Sequence, residues 1–200
     1  MTAQRLEDCT LVSGQMWYLD TSALIALAVA HEPQTSANQA EEFKRAKRIR
    51  EFADRVNSKG ARLITTILAI EELAGHARSK ARKAAAQSRG MSWKDLKQYD
   101  PTAAAHLDIA CRDAMLDFME VAANVVATCQ VAYEFPTLDT SKPVEANKKL
   151  RKLHRELLRL YVSIDAMDAL HIAFGRWVGT KNFVSFDHGW QAVADIDVAY

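Results

Sequence analysis

Short apolar runs alternate along the chain with longer segments in which apolar residues recur every three or four positions. Runs of strand length lie at 16–19, 62–65, 131–135, 182–186 and 196–200. The helical spacing predicts amphipathic helices at 22–30, 41–56, 66–76, 144–161 and 164–177. This alternation predicts an α/β fold, with a central parallel sheet that is flanked by helices on both faces.

Residues 78–130 interrupt this alternation. The first part of the segment is basic and rich in alanine, and its pattern predicts no definite element. Asp100 followed by Pro101 then predicts the start of a long helix, because a capping acid and a proline in the first turn both favour helix initiation. We therefore interpret 78–130 as a helical insertion in a single domain at 16–200, which follows an N-terminal arm at 1–15.

Composition narrows the class of protein. A chain of 200 residues is long enough for one well-buried domain, and its net charge of +1 gives no general attraction to polyanions. It contains neither an apolar signal segment nor a run of about eighteen apolar residues, so we expect no membrane partner. Cys111 and Cys129 lie about 27 Å apart along one predicted helix, too far to pair. Reduced cysteines favour a cytoplasmic protein.

Four acidic residues that are distant in sequence are expected at one edge of the predicted sheet. Asp20 and Asp187 each directly follow an apolar run, and their alternative roles are a helix cap and a turn acid respectively. Glu72 lies early in the helix after the second strand, and Asp168 lies early in the helix before the fourth. The carboxyl ends of parallel strands and the starts of the returning helices meet at the same edge, so all four carboxylates are placed there.

Carboxylates gathered in one place repel one another and need a cation beside them to stay ionised. A set of oxygen ligands without cysteine or histidine suits Mg²⁺ or Mn²⁺ better than Zn²⁺. These ions activate water and stabilise the charge on a phosphoryl group, so the four acids predict metal-dependent hydrolysis of a phosphodiester.

Neighbouring residues compete with two of these acids. Glu71 is adjacent to Glu72, and its alternative role is that of a solvent-facing helix residue. Asp165 lies one turn before Asp168 and is a candidate helix cap, or a supporting acid on the substrate side. His171 lies one turn after Asp168, and packing in the core explains it more simply than contact with substrate or metal.

The four acids lie in four motifs: LDTSAL at 19–24, TTILAIEEL at 65–73, DALHIA at 168–173 and FVSFD at 183–187. In this order, the motifs resemble those of the PIN-domain nucleases, and most of all the VapC-type toxins of bacterial toxin–antitoxin pairs. The resemblance covers the two ends of the chain, at 16–76 and 131–199. The stretch between them is longer than the helical hairpin usual in these toxins.

The resemblance implies a Rossmann-like PIN domain, Mg²⁺ or Mn²⁺ as cofactor, endoribonuclease activity on RNA, a homodimer and inhibition by a small antitoxin protein. The positions that match the four catalytic, metal-binding acids of the family are Asp20, Glu72, Asp168 and Asp187. Thr21 and Ser22 match the hydroxyl positions beside the first acid, and either is expected to cap the helix that follows. Ser185 matches the hydroxyl position two residues before the fourth acid.

A basic run follows the helical segment that carries Glu72, and it is the best candidate for contact with an RNA backbone. It contains Arg78, Lys80, Arg82 and Lys83. The alternative is that these residues only solvate an exposed helix face. Two other functions stay open: a PIN-like nuclease outside a toxin–antitoxin pair, acting in RNA processing or on DNA, and a binding module that has lost catalysis.

Overall fold

The computed structural model of the chain describes residues 2–29, 37–135, 137–193 and 195–200. Within these ranges the strands are β1 Thr2–Gln4, β2 Met16–Leu19, β3 Arg62–Thr65, β4 Ala132–Tyr133, β5 Asn182–Val184 and β6 Asp197–Ala199. The α-helices are α1 Thr21–Val29, α2 Ala37–Ser58, α3 Ile67–Gln87, α4 Trp93–Tyr99, α5 Pro101–Thr128, α6 Pro143–Leu160 and α7 Ala166–Trp177. Short 3-10 helices lie at Leu6–Asp8 and His188–Ala192.

The six strands form one sheet in the order β1-β6-β5-β2-β3-β4, and every neighbouring pair is parallel. The predicted parallel α/β fold is therefore confirmed, and the architecture is consistent with a Rossmann-like fold. From β2 the chain builds outward through β3 and β4, and it then returns to the other side of β2 to form β5. The strand order thus reverses between β2 and β5, and ligands in open α/β sheets bind beyond the carboxyl ends of the strands at such a switch point.

Side chains that alternate along the central strands build a separate core on each face of the sheet. Trp17 and Leu19 pack on the face covered by α1, α2 and α5, where the Trp17 and Phe52 rings meet edge to face at 5.2 Å. Tyr18 and Phe183 pack on the face covered by α7. Both faces are covered, as the near-continuous apolar strands predict.

The segment expected to be an N-terminal arm is part of the domain. Its first residues form β1, which extends the sheet edge by pairing with β6. Leu6 and Cys9 are buried in the core, and the Arg55 guanidinium donates to the Leu6 carbonyl at 3.0 Å. The three-residue strand has no apolar alternation, so the sequence pattern gives no sign of it.

The segment 78–130 is helical, as predicted, but its first part is more regular than its sequence indicates. Helix α3 continues to Gln87 instead of ending near residue 76, and α4 follows after a short turn. Helix α5 begins at Pro101, and the Asp100 side chain accepts the Ala103 N–H at 2.9 Å, which confirms the predicted cap. None of the described helices is both long enough and apolar enough to span a membrane. The three cysteines are free and buried.

Candidate active site

Asp20 lies at the centre of the candidate site, directly after β2, and only 4% of its surface is exposed. Its Oδ1 accepts hydrogen bonds from the Ala23 N–H and the Ser22 hydroxyl, both at 2.8 Å. Its Oδ2 accepts the Ser185 hydroxyl at 2.6 Å and lies 2.9 Å from the Ser22 hydroxyl. Burial raises the pKa of Asp20, and these hydrogen bonds oppose the increase. Protein donors thus take the place of solvating water around this carboxylate.

The side chain that caps α1 is Asp20, because it accepts the Ala23 N–H. The alternative role of Asp20 as a helix cap is therefore confirmed, and the prediction that Ser22 or Thr21 caps this helix was wrong. Ser22 instead joins two elements, since its hydroxyl donates to Asp20 and accepts the Phe186 N–H at 2.8 Å. This pair of bonds ties the start of α1 to the chain that leaves β5, across the switch point of the sheet.

Ser185 links Asp20 to the second acid that follows a strand. Its hydroxyl donates to Asp20 and accepts the Asp187 N–H at 3.0 Å. The Asp187 side chain is exposed and accepts the Gly189 N–H at 2.8 Å, which caps the 3-10 helix at His188–Ala192. Asp187 therefore stands on the solvent side of the site, while Asp20 forms its buried floor.

Asp168, in the first turn of α7, is perturbed both by burial and by the charges of neighbouring acids. Burial raises its pKa to about 6, the Trp190 indole opposes this shift, and the negative charges of Asp165, Asp187 and Asp20 add to it. These repulsions place Asp20, Asp165 and Asp187 within electrostatic range of Asp168. Asp165 is the N-cap of α7, as its alternative role predicted, and accepts the Met167 N–H at 2.8 Å.

Glu72 reaches the site from α3, whereas the adjacent Glu71 is exposed. One carboxylate oxygen of Glu72 accepts a hydrogen bond from the Thr21 hydroxyl. The same oxygen lies 2.7 Å from Nε2 of His171, which is only 1% exposed. The geometry therefore places Glu72, and not its neighbour, beside the residue that follows Asp20.

His171 belongs to a buried chain of hydrogen bonds that the sequence analysis missed. Its Nδ1 lies 2.7 Å from the Tyr18 hydroxyl, which in turn lies 2.8 Å from the Thr66 hydroxyl. In the tautomer that carries its proton on Nε2, His171 donates to Glu72 and accepts the Tyr18 hydroxyl at Nδ1, and Tyr18 then accepts from Thr66. Burial raises the pKa of Tyr18, which keeps its hydroxyl protonated in this chain. One signal was available: a tyrosine in a buried strand needs a partner for its hydroxyl.

The oxygen atoms of this site are chemically suitable ligands for a hard divalent cation. Carboxylate and hydroxyl oxygens are the ligands that Mg²⁺ and Mn²⁺ prefer, and burial disfavours the charge of both Asp20 and Asp168. Nε1 of the fully buried Trp190 has no partner in good hydrogen-bond geometry among the described residues, although its dipole acts on Asp168. Within those same residues, however, no three Asp, Glu, His or Cys side chains already converge on one ion position. Among the described residues, the acids near the switch point do not form a complete set of ligands around one ion position.

The basic residues predicted to contact substrate divide into two groups. The Arg78 and Arg82 guanidinium groups both bind Asp108 of α5, at 2.6 Å and 2.7 Å. Lys80 and Lys83 are exposed on α3. Part of the positive charge of the run is therefore used to hold α3 against α5.

In comparisons with known proteins, no protein-family model and no curated protein matches the chain.

Proposed function

We propose that this protein is a metal-dependent endoribonuclease whose ligands for Mg²⁺ or Mn²⁺ are Asp20, Glu72, Asp168 and Asp187. The observation that carries the proposal is the environment of Asp168. Its pKa is raised to about 6 by burial and by the charges of Asp165, Asp187 and Asp20, at the point where the strand order reverses. Perturbed carboxylates in such a position are typical of functional sites.

The chain's own residues have distinct parts in this function. Asp20 provides a rigid buried oxygen pair, since Ser22 and Ser185 fix both of its oxygens. His171 and Thr21 orient Glu72 from α3. When bound, the metal would supply an activated water and stabilise the charge on the phosphoryl group during in-line displacement. The exposed side, at Asp187, is where the phosphate of the substrate would enter.

The biological context that we propose is the toxin of a type II toxin–antitoxin pair, acting as a homodimer in the cytoplasm and inhibited by a small antitoxin protein. It rests on the resemblance of the four motifs to VapC-type toxins. Expression in a bacterial host tests it directly, because a toxin arrests growth and a co-expressed neighbouring small protein relieves the arrest. A nuclease of RNA processing or of DNA leaves growth unaffected by that second protein.

One observation favours a second candidate, a binding module that keeps the acids without catalysis. Asp20 already receives hydrogen bonds on both oxygens, Glu72 is bound to His171 and Thr21, and the described acids form no complete set of ligands around one ion position. A carboxylate that is fully solvated by protein donors is stable without a cation. Calorimetric titration with Mn²⁺ separates the two candidates, since the binding module takes up no metal at millimolar concentrations.

Cleavage of RNA by the purified protein is the deciding assay. We expect cleavage with Mn²⁺, none with EDTA, and near-background rates for Asp20→Asn and Asp168→Asn. Asp117→Asn is the matched control, because Asp117 is an exposed acid on α5 and takes part in none of the hydrogen bonds described for the site. Cleavage by Asp168→Asn at the rate of the parent would exclude the proposed ligand set.

A further inference from the structure

A groove of about 640 Å³ lies between α3 and the turn that leads into α4. One wall is a single face of α3, since its lining residues are three, four, seven and eight positions apart: Gly75, Arg78, Ser79, Arg82 and Lys83. The other wall is formed by Met91, Ser92 and Trp93. No acidic residue is among the described residues that line this groove.

The groove continues the face of α3 that carries Glu72. Gly75 lies one turn after Glu72, and Ser79 lies one turn further along the same face. At 1.5 Å per residue, Lys83 is about 16 Å from Glu72 along the helix axis. A chain that leaves the candidate active site beside Glu72 can therefore run along α3 into the groove.

The charge of the groove is positive in spite of the ion pairs behind it. Arg78 and Arg82 share the single carboxylate of Asp108, so two positive charges face one negative charge. Lys83 adds a third positive charge and is exposed. The nearest acid on α4, Asp95, bonds with Ser92 at the start of that helix. The lining residues thus favour a polyanion.

Trp93 gives the groove an aromatic wall. The Arg82 guanidinium lies over its ring, 5.5 Å from the ring centre, and so holds the ring in place. Trp93 is only partly buried, and it lines both this groove and the smaller cavity next to it. A positively charged track with an exposed aromatic side chain is the arrangement by which proteins hold single-stranded nucleic acid, with bases stacked on the ring and phosphates beside the lysine.

We propose that this groove binds the single-stranded RNA that flanks the cleaved bond, with Lys83 beside a phosphate and Trp93 stacked on a base. The direction of the strand, from the groove to Glu72, rests on the nuclease function proposed above. The binding itself does not depend on catalysis. The insertion at 78–130 therefore supplies the surface that holds substrate next to the acids.

Anisotropy of a labelled single-stranded RNA of ten nucleotides, measured in EDTA at several salt concentrations, tests binding without cleavage. Lys83→Ala is expected to reduce the steepness of log K against log salt by about 0.7, the loss of one phosphate contact on a single strand. Lys94→Ala, which removes an exposed lysine beside the groove but outside its lining, is the matched control and leaves the slope unchanged.

Trp93 is tested by a change that leaves the charge intact. Trp93→Leu is expected to weaken binding about 5- to 150-fold at constant salt slope, the effect of losing one stacked base. Trp93→Phe keeps an aromatic face and recovers part of this loss. Circular dichroism and thermal unfolding of each variant confirm that α4 is still formed.

Three results would overturn the proposal: equal salt slopes for Lys83→Ala and Lys94→Ala, unchanged affinity of folded Trp93→Leu, or competition by polyglutamate as effective as that of RNA. The last result would make the groove a site for acidic peptides. If RNA binds in the groove but no metal-dependent cleavage occurs, the groove stands and the nuclease function fails. If cleavage occurs and the groove variants bind RNA normally, the nuclease function is supported and the proposed RNA-binding groove is refuted.

Discussion

Asp168→Asn is expected to stabilise the metal-free protein at neutral pH. The folded pKa of Asp168 is about 6, above its ordinary value of 3.8, so folding disfavours the charged form. At about 1.36 kcal/mol per pH unit this shift corresponds to about 3 kcal/mol, and because the side chain is only half-buried we take about half, or about 1.5 kcal/mol. The penalty is absent below pH 4 and complete above pH 6 to 7.

A second effect opposes this gain. Asp168 lies in the first turn of α7, where a negative charge interacts favourably with the helix dipole. Losing that interaction costs about 0.5 kcal/mol, so the net gain is about 1 kcal/mol. For a domain of this size the gain raises the Tm by about 2–4 °C at pH 7.5. Removal of the buried charge is the larger effect and sets the sign.

Scanning calorimetry in EDTA at pH 7.5 and pH 4 measures both the gain and its pH dependence. The Tm difference between Asp168→Asn and the parent should largely disappear at pH 4, where the carboxyl of the folded parent is also neutral. The exposed Asp117→Asn on α5 should leave the Tm unchanged at pH 7.5. Mn²⁺ should then stabilise the parent more than Asp168→Asn. A Tm that is unchanged or lower at pH 7.5, or a gain that persists at pH 4, refutes the reasoning.

Further predictions concern the buried network, helix packing and proton competition. Tyr18→Phe removes the hydroxyl that bonds with His171 and Thr66. We expect the free energy of unfolding, measured by thermal denaturation, to fall by about 1–3 kcal/mol, and kcat to fall at similar KM. Tyr133→Phe, at an exposed tyrosine, should change neither quantity. Gly175→Ala places a Cβ against the Phe183 ring and should lower the free energy of unfolding, measured by urea denaturation, by about 1–3 kcal/mol. Gly75→Ala, whose added Cβ meets open space, should raise it. Mn²⁺ affinity, measured by calorimetry, should fall about tenfold from pH 7 to pH 5, as Asp168 with its pKa of about 6 becomes protonated.

The central elements of the fold could be predicted because their sequence patterns reflect burial. Strands β2 and β3 have the predicted bounds, since four consecutive apolar residues in β2, and two apolar residues and a threonine after Arg62 in β3, leave few alternatives in a two-sided sheet. Helix α3 was predicted too short because its second half is rich in alanine and basic residues without an apolar stripe, and its packing against α5 extends it. Strand β1 depends on a partner edge almost 200 residues away, which no local pattern contains.

The candidate site could be predicted only in part for a related reason. A strand end or a helix start fixes where Asp20 and Asp168 lie, and both positions are visible in the sequence. The hydrogen bonds from Tyr18 to Thr66 and His171 join residues 48 and 153 positions apart. Their partners are decided by the packing of α3 and α7 on the sheet, so a histidine that looks like a core residue proves to be both buried and bound to Glu72.

The contrast between Asp20 and Asp168 argues for a cation site more strongly than the number of acids does. In a purely structural site, donors would offset the partial burial of Asp168 as they do the full burial of Asp20, since taking a carboxylate out of water without a partner costs stability. Asp20 is matched by Ser22, Ala23 and Ser185, which oppose the rise that burial causes in its pKa. Asp168 instead lies near three negative charges, those of Asp165, Asp187 and Asp20. Among the described residues, the donor that acts on it is the Trp190 indole, whose Nε1 is not in good hydrogen-bond geometry. A charge that costs stability at neutral pH, beside a carboxylate already fixed in place, is what a protein would keep to bind a metal ion.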